Sequence, residues 1–358
     1  MTDAVPNRRD FLTGRAVRSE LERRGDMIAD AVAQSSPPSR GPTLMLRTAA
    51  MATDFDVLLN PDGPADQVSI ASDALDQVHR LEDQLTAYRD DSELMRINRE
   101  AATGPVAVEP SLFALLSRAI DIAQRTDGAF DPASGALVRL WQQCRREGRL
   151  PTAEEVAAAR ERTGCRHVGL DHVHQTISLD RDGVEFNLGA IGKGYAVDRI
   201  GEAILARGVA DWLVHGGKSS VRVAGCHAGH DGWPIGLQNP LLPDRPVLTL
   251  LLKDAAISTS GTAVQWFRVG DKRYGHVLDP RTGWPVETML SVSVIAPDAA
   301  LADALSTAFF VLGVENALRC CDNFPEVGAI LFPLPADGRT VVPILHNLDD
   351  SRMFWTSP

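Results

Sequence analysis

From Leu301 to Leu312 the chain is apolar at almost every position, and Asp303 interrupts the run. The pattern predicts a buried helix over about 300–312, ended by Gly313. Asp303 and Thr307 lie four residues apart, so both project from one face of that helix. An ionised carboxylate in apolar surroundings is costly unless something pairs with it. The fold must therefore bring hydrogen-bond donors, a cation, or both to Asp303. A carboxylate beside a hydroxyl is hard-oxygen chemistry that suits Mg2+; a capping aspartate on the first helical turn would satisfy the same pattern.

The remaining segments alternate without a regular strand–helix–strand beat. Thr53 to Leu59 reads as a strand closed by Pro61-Asp62-Gly63-Pro64. Ala71, Leu75, Val78, Leu81 and Leu85 recur at steps of three and four and mark a helix. A second helix follows Pro110 with Leu112, Leu116, Ala119 and Ala123 on one face, and a third runs from about Gly194 to Gly208. Val247 to Leu252, Ser291 to Ala296 and Ala329 to Phe332 read as buried strands. This mixture predicts an α+β fold rather than a doubly wound sheet.

Residues 1–43 form a charged appendage that closes in a Ser/Pro-rich linker, and 44–358 form the folded domain. Asn7-Arg8-Arg9-Asp10-Phe11-Leu12 resembles a twin-arginine export start, but charged residues occupy the place of the apolar run. The chain therefore reads as cytoplasmic, with export left open. No stretch of about 18 apolar residues is apparent, so no membrane span is expected. The five cysteines include no CxxC spacing and read as free thiols. A formal net charge of −11 argues against broad nucleic-acid binding. It leaves room for one anionic ligand, since a local cation can reverse the field in a cleft.

Three further stretches suit chemistry. Residues 187–198 (NLGAIGKGYAVD) form a glycine-rich turn running into a helix, where backbone N–H groups and Lys193 could meet phosphate. A turn with only a structural role fits equally, and neither the Rossmann nor the Walker spacing is present. Residues 275–283 place His276, Asp279 and Arg281 around a Pro/Gly turn, with Ser258-Thr259-Ser260-Gly261 before it. Residues 126–132 (TDGAFDP) read as a turn after the second helix.

In this order the stretches resemble the ApbE family of FAD:protein FMN transferases, from about Met51 to Gly313. The resemblance rests on YRDDSELMRIN (88–98), GAFD (128–131), NLGAIGKGYAVD with His215-Gly216-Gly217 after it, STSG (258–261), HVLDPRTGWPV (276–286) and ADALST (302–307). It implies an α+β architecture of mixed helices and largely antiparallel sheets, related to the T-fold. It implies FAD contacts at Met51, Tyr88, Ala129, Phe130, Asp131, Asn187, Lys193 and Val277. It implies Mg2+ between the Ala190 backbone oxygen and the side chains of Asp303 and Thr307. Asn187 stands where the family usually has Asp, which keeps hydrogen bonding and loses a charge.

The implied reaction moves the FMN half of FAD onto a Ser or Thr hydroxyl of an acceptor protein and releases AMP. His276 is the candidate base, with Asp279 orienting it or bracing the loop, and Ser260 a phosphate or backbone contact. Two other outcomes use the same residues: a FAD pyrophosphatase, with water as nucleophile, and a non-catalytic FAD-binding assembly factor.

Overall fold

The computed structural model describes residues 38, 41–242, 246–261, 266–270, 272–335 and 341–356. Nearly all of the expected appendage, including the twin-arginine-like start, lies outside the described residues.

The chain opens with strands β1 (Leu44–Ala50) and β2 (Thr53–Leu59), then helices α1 (Gln67–Leu85) and α2 (Glu93–Glu100). Strand β3 (Val106–Ala107) leads to α3 (Pro110–Arg125), α4 (Gly135–Glu147) and α5 (Ala153–Arg160). Strands β4 (Val168–Asp171) and β5 (Thr176–Leu179) precede α6 (Gly192–Ala206). Then come β6 (Trp212–Gly216), β7 (Ser220–Ala224), β8 (Trp233–Gln238), β9 (Pro246–Leu252) and β10 (Ala255–Gly261). Two short hairpins follow, β11 (Trp266–Val269) with β12 (Lys272–Gly275) and β13 (Leu278–Asp279) with β14 (Trp284–Pro285). Strand β15 (Met289–Ala296), helix α7 (Ala299–Cys321), β16 (Gly328–Pro333), β17 (Ile344–His346) and β18 (Met353–Trp355) complete the chain.

One eight-stranded sheet dominates, in the order β1-β2-β6-β7-β10-β15-β16-β17. Every described strand pair is antiparallel, so the expected α+β class with antiparallel sheets holds. Side chains alternate between its faces. Ala329 and Leu331 enter the core shared with the helices, while Ile330 and Phe332 enter a second core under the β18-β9-β8 sheet. Because both faces are covered, β15 and β16 read as continuous apolar runs in the sequence. The strand predicted over 53–59 and the helix after Pro110 match β2 and α3.

The helix breaks where its end was expected, at Gly313 with φ 71 and ψ 174, and a second helical segment carries α7 on to Cys321. That continuation corrects the expected absence of a long apolar segment: α7 is long and apolar enough to cross a membrane by length and composition. In this fold it is a core helix, with Phe309 and Phe310 fully buried.

Helix α6 crosses α7 at Gly194. A Cβ there would lie 2.1 Å from the Ala299 carbonyl oxygen, so only glycine permits the approach. A Cβ on Gly192 would meet nothing closer than Leu188 Cβ at 3.7 Å, an ordinary contact. Gly194→Ala is therefore expected to destabilise the protein by about 1–3 kcal/mol through overpacking. Gly192→Ala should be neutral or gain up to ~1 kcal/mol of helix propensity. Chemical unfolding of both variants checks this; equal effects would refute the close-crossing requirement.

Candidate active site

A cleft of about 1680 Å³ opens along one end of the large sheet. Its walls bring together Met51, Tyr88, Ala129, Phe130, Asp131, Asn187, Ala190, Lys193, His276, Val277, Asp303 and Thr307, although they are spread over more than 250 positions. Of the predicted site residues, Asp279 alone does not line it.

The centre of the cleft is built on the α6–α7 crossing. Asp303 is 4% exposed. Its Oδ2 accepts the Gly194 backbone N–H at 3.0 Å, and its Oδ1 accepts the Ser258 hydroxyl at 3.1 Å. Lys193 Nζ stands 3.7 Å from Oδ2. The Ser260 hydroxyl lines the cleft, 3.1 Å from Thr307 Oγ1 and 2.8 Å from Ser306 Oγ. STSG is not a loop but the end of the interior strand β10, which holds these hydroxyls against α7.

The donors suit Mg2+. No group of three or more His, Cys, Asp or Glu side chains that could hold a metal occurs among the described residues. Asp303, Thr307 and Ala190 all line the cleft, and their groups would offer a cation one carboxylate, one hydroxyl and a backbone carbonyl. A cation bound through one carboxylate is completed by water and substrate phosphate, as Mg2+ prefers. Each Asp303 oxygen accepts one protein hydrogen bond and retains a further lone pair.

The glycine-rich turn spends its N–H groups differently from the anion-cradle expectation. Gly189 N–H donates to Asn187 Oδ1 at 2.9 Å, Gly192 N–H to the Leu188 carbonyl at 2.7 Å, and Gly194 N–H to Asp303. These glycines shape the bend and the crossing, leaving Lys193 as the turn's charge toward a phosphate. The bond from Gly189 uses the one oxygen that Asn187 shares with aspartate, so that substitution keeps the bend.

Asp198, the last residue of the motif, accepts the N–H groups of Ala299 and Ala300, each at 2.8 Å, and pairs with Arg222 at 3.0 Å. It clasps the N-terminus of the helix that carries Asp303, where negative charge is favoured.

The outer parts of the cleft come from turns. Met51 (φ 50) and Ala52 (φ 57) turn the β1–β2 hairpin in the left-handed region, and Met51 N–H donates to Glu82 Oε1 at 2.8 Å. Ala129 and Phe130 are buried, whereas Tyr88 is 75% exposed at the rim. Asp131 turns its carboxylate inward: Oδ1 accepts the Ala133 N–H at 2.8 Å and Oδ2 the Cys165 N–H at 3.1 Å. Burial raises its pKa.

His276 is exposed and follows β12. Both Asp279 oxygens bind the Arg281 guanidinium at 2.9 Å, and its carbonyl accepts the Gly283 N–H at 2.7 Å. Asp279 braces the turn, which Trp141 Nε1–H also anchors by donating to the Gly283 carbonyl at 2.9 Å. Of the two roles expected for Asp279, the contacts with Arg281 and Gly283 support bracing.

A second histidine was missed as a site residue. His215 lines the cleft, with Nε2 3.1 Å from Asp56 Oδ2. Asp56 is 1% exposed and gripped by Arg47 at 2.6 and 2.8 Å. Burial lowers the His215 pKa, so the ring is neutral near pH 7, and its Nδ1 is buried without a protein partner. Arg47, Asp56 and His215 are cross-strand neighbours on β1, β2 and β6. Only strand pairing aligns them, so no local spacing announces the group.

Comparison with known proteins agrees with this geometry. The ApbE family model matches residues 51–331. The chain belongs to the ApbE family. It is 36% identical over 279 residues to the FAD:protein FMN transferase of Treponema pallidum, covering 73% of this chain and 77% of that protein. It is 35% identical over 240 residues to that of Salmonella typhimurium, covering 65% and 68%. The crystal structure of the ApbE protein from Thermotoga maritima superposes with a TM-score of 0.74 at 30% identity, covering 84% of this chain and 96% of that one. The flavin transferase ApbE from Vibrio cholerae gives 0.73 at 27% identity, covering 85% and 97%. The ApbE match thus takes in every candidate residue in the cleft.

The clasp makes a pH prediction. Burial, partly offset by Arg222 and the two N–H donors, pushes the Asp198 pKa from the ordinary 3.8 up to about 6. The folded state then holds this proton more tightly than the unfolded state does. The group's contribution is full below pH 3.8 and declines as pH rises through about 6. Asp198→Asn cannot ionise and should lose that decline. Unfolding free energies at about pH 4 and about pH 7 should show the native protein's advantage over the variant shrinking at the higher pH. Parallel profiles would reject the assignment.

Proposed function

We propose that this chain transfers the FMN moiety of FAD to a Ser or Thr hydroxyl of an acceptor protein, with Mg2+, releasing AMP. The observation that carries this reading is the buried Asp303 beside Lys193 and Thr307 on the wall of one large cleft, in a member of the ApbE family.

Asp303, Thr307 and the Ala190 carbonyl would hold the cation, which when bound supplies Lewis-acid stabilisation of charge on the phosphate oxygens. Lys193 adds a fixed positive charge beside them. Met51, Tyr88, Ala129, Phe130, the Asp131 backbone, Asn187 and Val277 would bind and orient FAD. The acceptor oxygen attacks the FMN-side phosphorus. The pyrophosphate P–O bond breaks and AMP leaves with the electron pair. His276 takes the hydroxyl proton, and the Asp279–Arg281 brace fixes the loop that carries it. Positioning and electrostatics carry most of the acceleration in such transfers.

Incubation with FAD and Mg2+, with and without candidate acceptor proteins, tests the reading by AMP release and by mass spectrometry of FMN adducts. Free FMN formed at the same rate in both would favour a pyrophosphatase. Asp303→Ala should lower transfer by ~10²-fold or more while circular dichroism stays native. Full activity in that variant would discredit the metal assignment. His276→Ala should cost about 10²-fold or more as the general base. A change below about threefold would assign His276 to structure.

A further inference from the structure

The residues matched to FAD contacts, from Met51 to Val277, all line the cleft. Other residues that line the same cleft, His215, Val221 and those of β8 among them, match no FAD contact and make up its second wing. All residues from Trp233 to Pro240 line this wing. Strand β8 ends the β18-β9-β8 sheet and bonds to β9 alone among the described residues. Every second residue of such an edge strand turns its N–H and C=O away from its neighbour, and a free edge is a template for another strand. Gly236 and Gln238 are exposed there, and Pro234, which lacks an N–H, is tolerated because this is an edge.

His215 lines the cleft, but its remaining acceptor is closed to solvent. With the ring neutral and Nε2–H given to Asp56, His215 Nδ1 is a buried acceptor that no protein atom satisfies, an arrangement that is costly to leave unmade. The cleft also exceeds the roughly 300–1,000 Å³ of an ordinary small-ligand pocket.

We propose that this wing seats the acceptor: an extended segment of the acceptor polypeptide adds to the free edge of β8 and carries its Ser or Thr to the phosphates at Lys193 and Thr307. An extended chain supplies alternating N–H and C=O groups for the strand edge. The inference rests on the transferase reading and names where that reaction's second substrate lies. The residues of β8 line the same cleft as Lys193 and Thr307.

The test uses the full chain, FAD, Mg2+ and a pool of peptides of about 6–10 residues with one central Thr, a length that matches one strand. FMN–peptide is read by mass spectrometry, and FAD affinity by flavin fluorescence. Gly236→Pro and Gln238→Pro should each lower FMN–peptide formation by about tenfold or more, with FAD affinity and peptide-independent AMP release unchanged. On the peptide side, N-methylation at alternate positions should lower labelling about tenfold and leave the intervening positions near native. Uniform tolerance of N-methylation, or a parallel loss of FAD affinity in the β8 variants, overturns the proposal; the latter assigns the wing to the dinucleotide. If the native chain binds FAD and labels whole acceptor proteins but no peptide, the docking site is refuted while the transferase reading stands. If it releases no AMP and labels nothing, the transferase reading itself has failed.

Discussion

The close crossing of α6 and α7 at Gly194 is the constraint on which the site depends. It lets a backbone N–H of one helix bind the carboxylate of the other, Gly194 to Asp303 at 3.0 Å. One turn along α6, Asp198 holds the first N–H groups of α7, so the two helices are tied twice. Their relative position then fixes Lys193 against Asp303 and sets both against the hydroxyls of β10. A buried carboxylate is tolerated here because each of its oxygens accepts a hydrogen bond and a cation stands close by. The apolar helix around it is what makes those partners obligatory.

The large sheet lets this happen at one end of the molecule. Both its faces are covered, one by helices and the other by the small β18-β9-β8 sheet, so its strands are buried and rigid. Turns that leave the sheet and its helices then supply further cleft residues: Met51 at a hairpin tip, Phe130 after α3, His276 after β12. A rigid scaffold with functional loops is the common division of labour in enzymes. The chain is acidic overall, yet Lys193 and Lys218 both line the cleft, which concentrates positive charge where a diphosphate would sit.

The two histidines of the cleft show how context separates similar side chains. His276 is exposed, and the nearby acid, Asp279, is committed to Arg281. His215 has a carboxylate behind it, Asp56, itself fixed by Arg47, and its imidazole is held neutral by burial. The first stands at the surface of the loop that carries it. The second is held in a fixed orientation.

Local pattern was enough for much of this protein. The alternating and continuous apolar runs marked β2, β15 and β16, the three- and four-residue steps marked α1 and α3, and Asp303 with Thr307 announced an oxygen-donor pair on one helix face. Those features are legible because each depends on neighbours within a few residues. The sequence did not show that Gly194 serves a helix crossing, that Asp198 clasps a helix about a hundred residues further on, or that Asp279 faces Arg281. Nor did it show the row of Arg47, Asp56 and His215, which exists only once β1, β2 and β6 pair in register. Tertiary structure decided these points because hydrogen bonds and ion pairs act over a few ångströms of space, and separation along the chain carries no information about that distance until the strands and helices have packed.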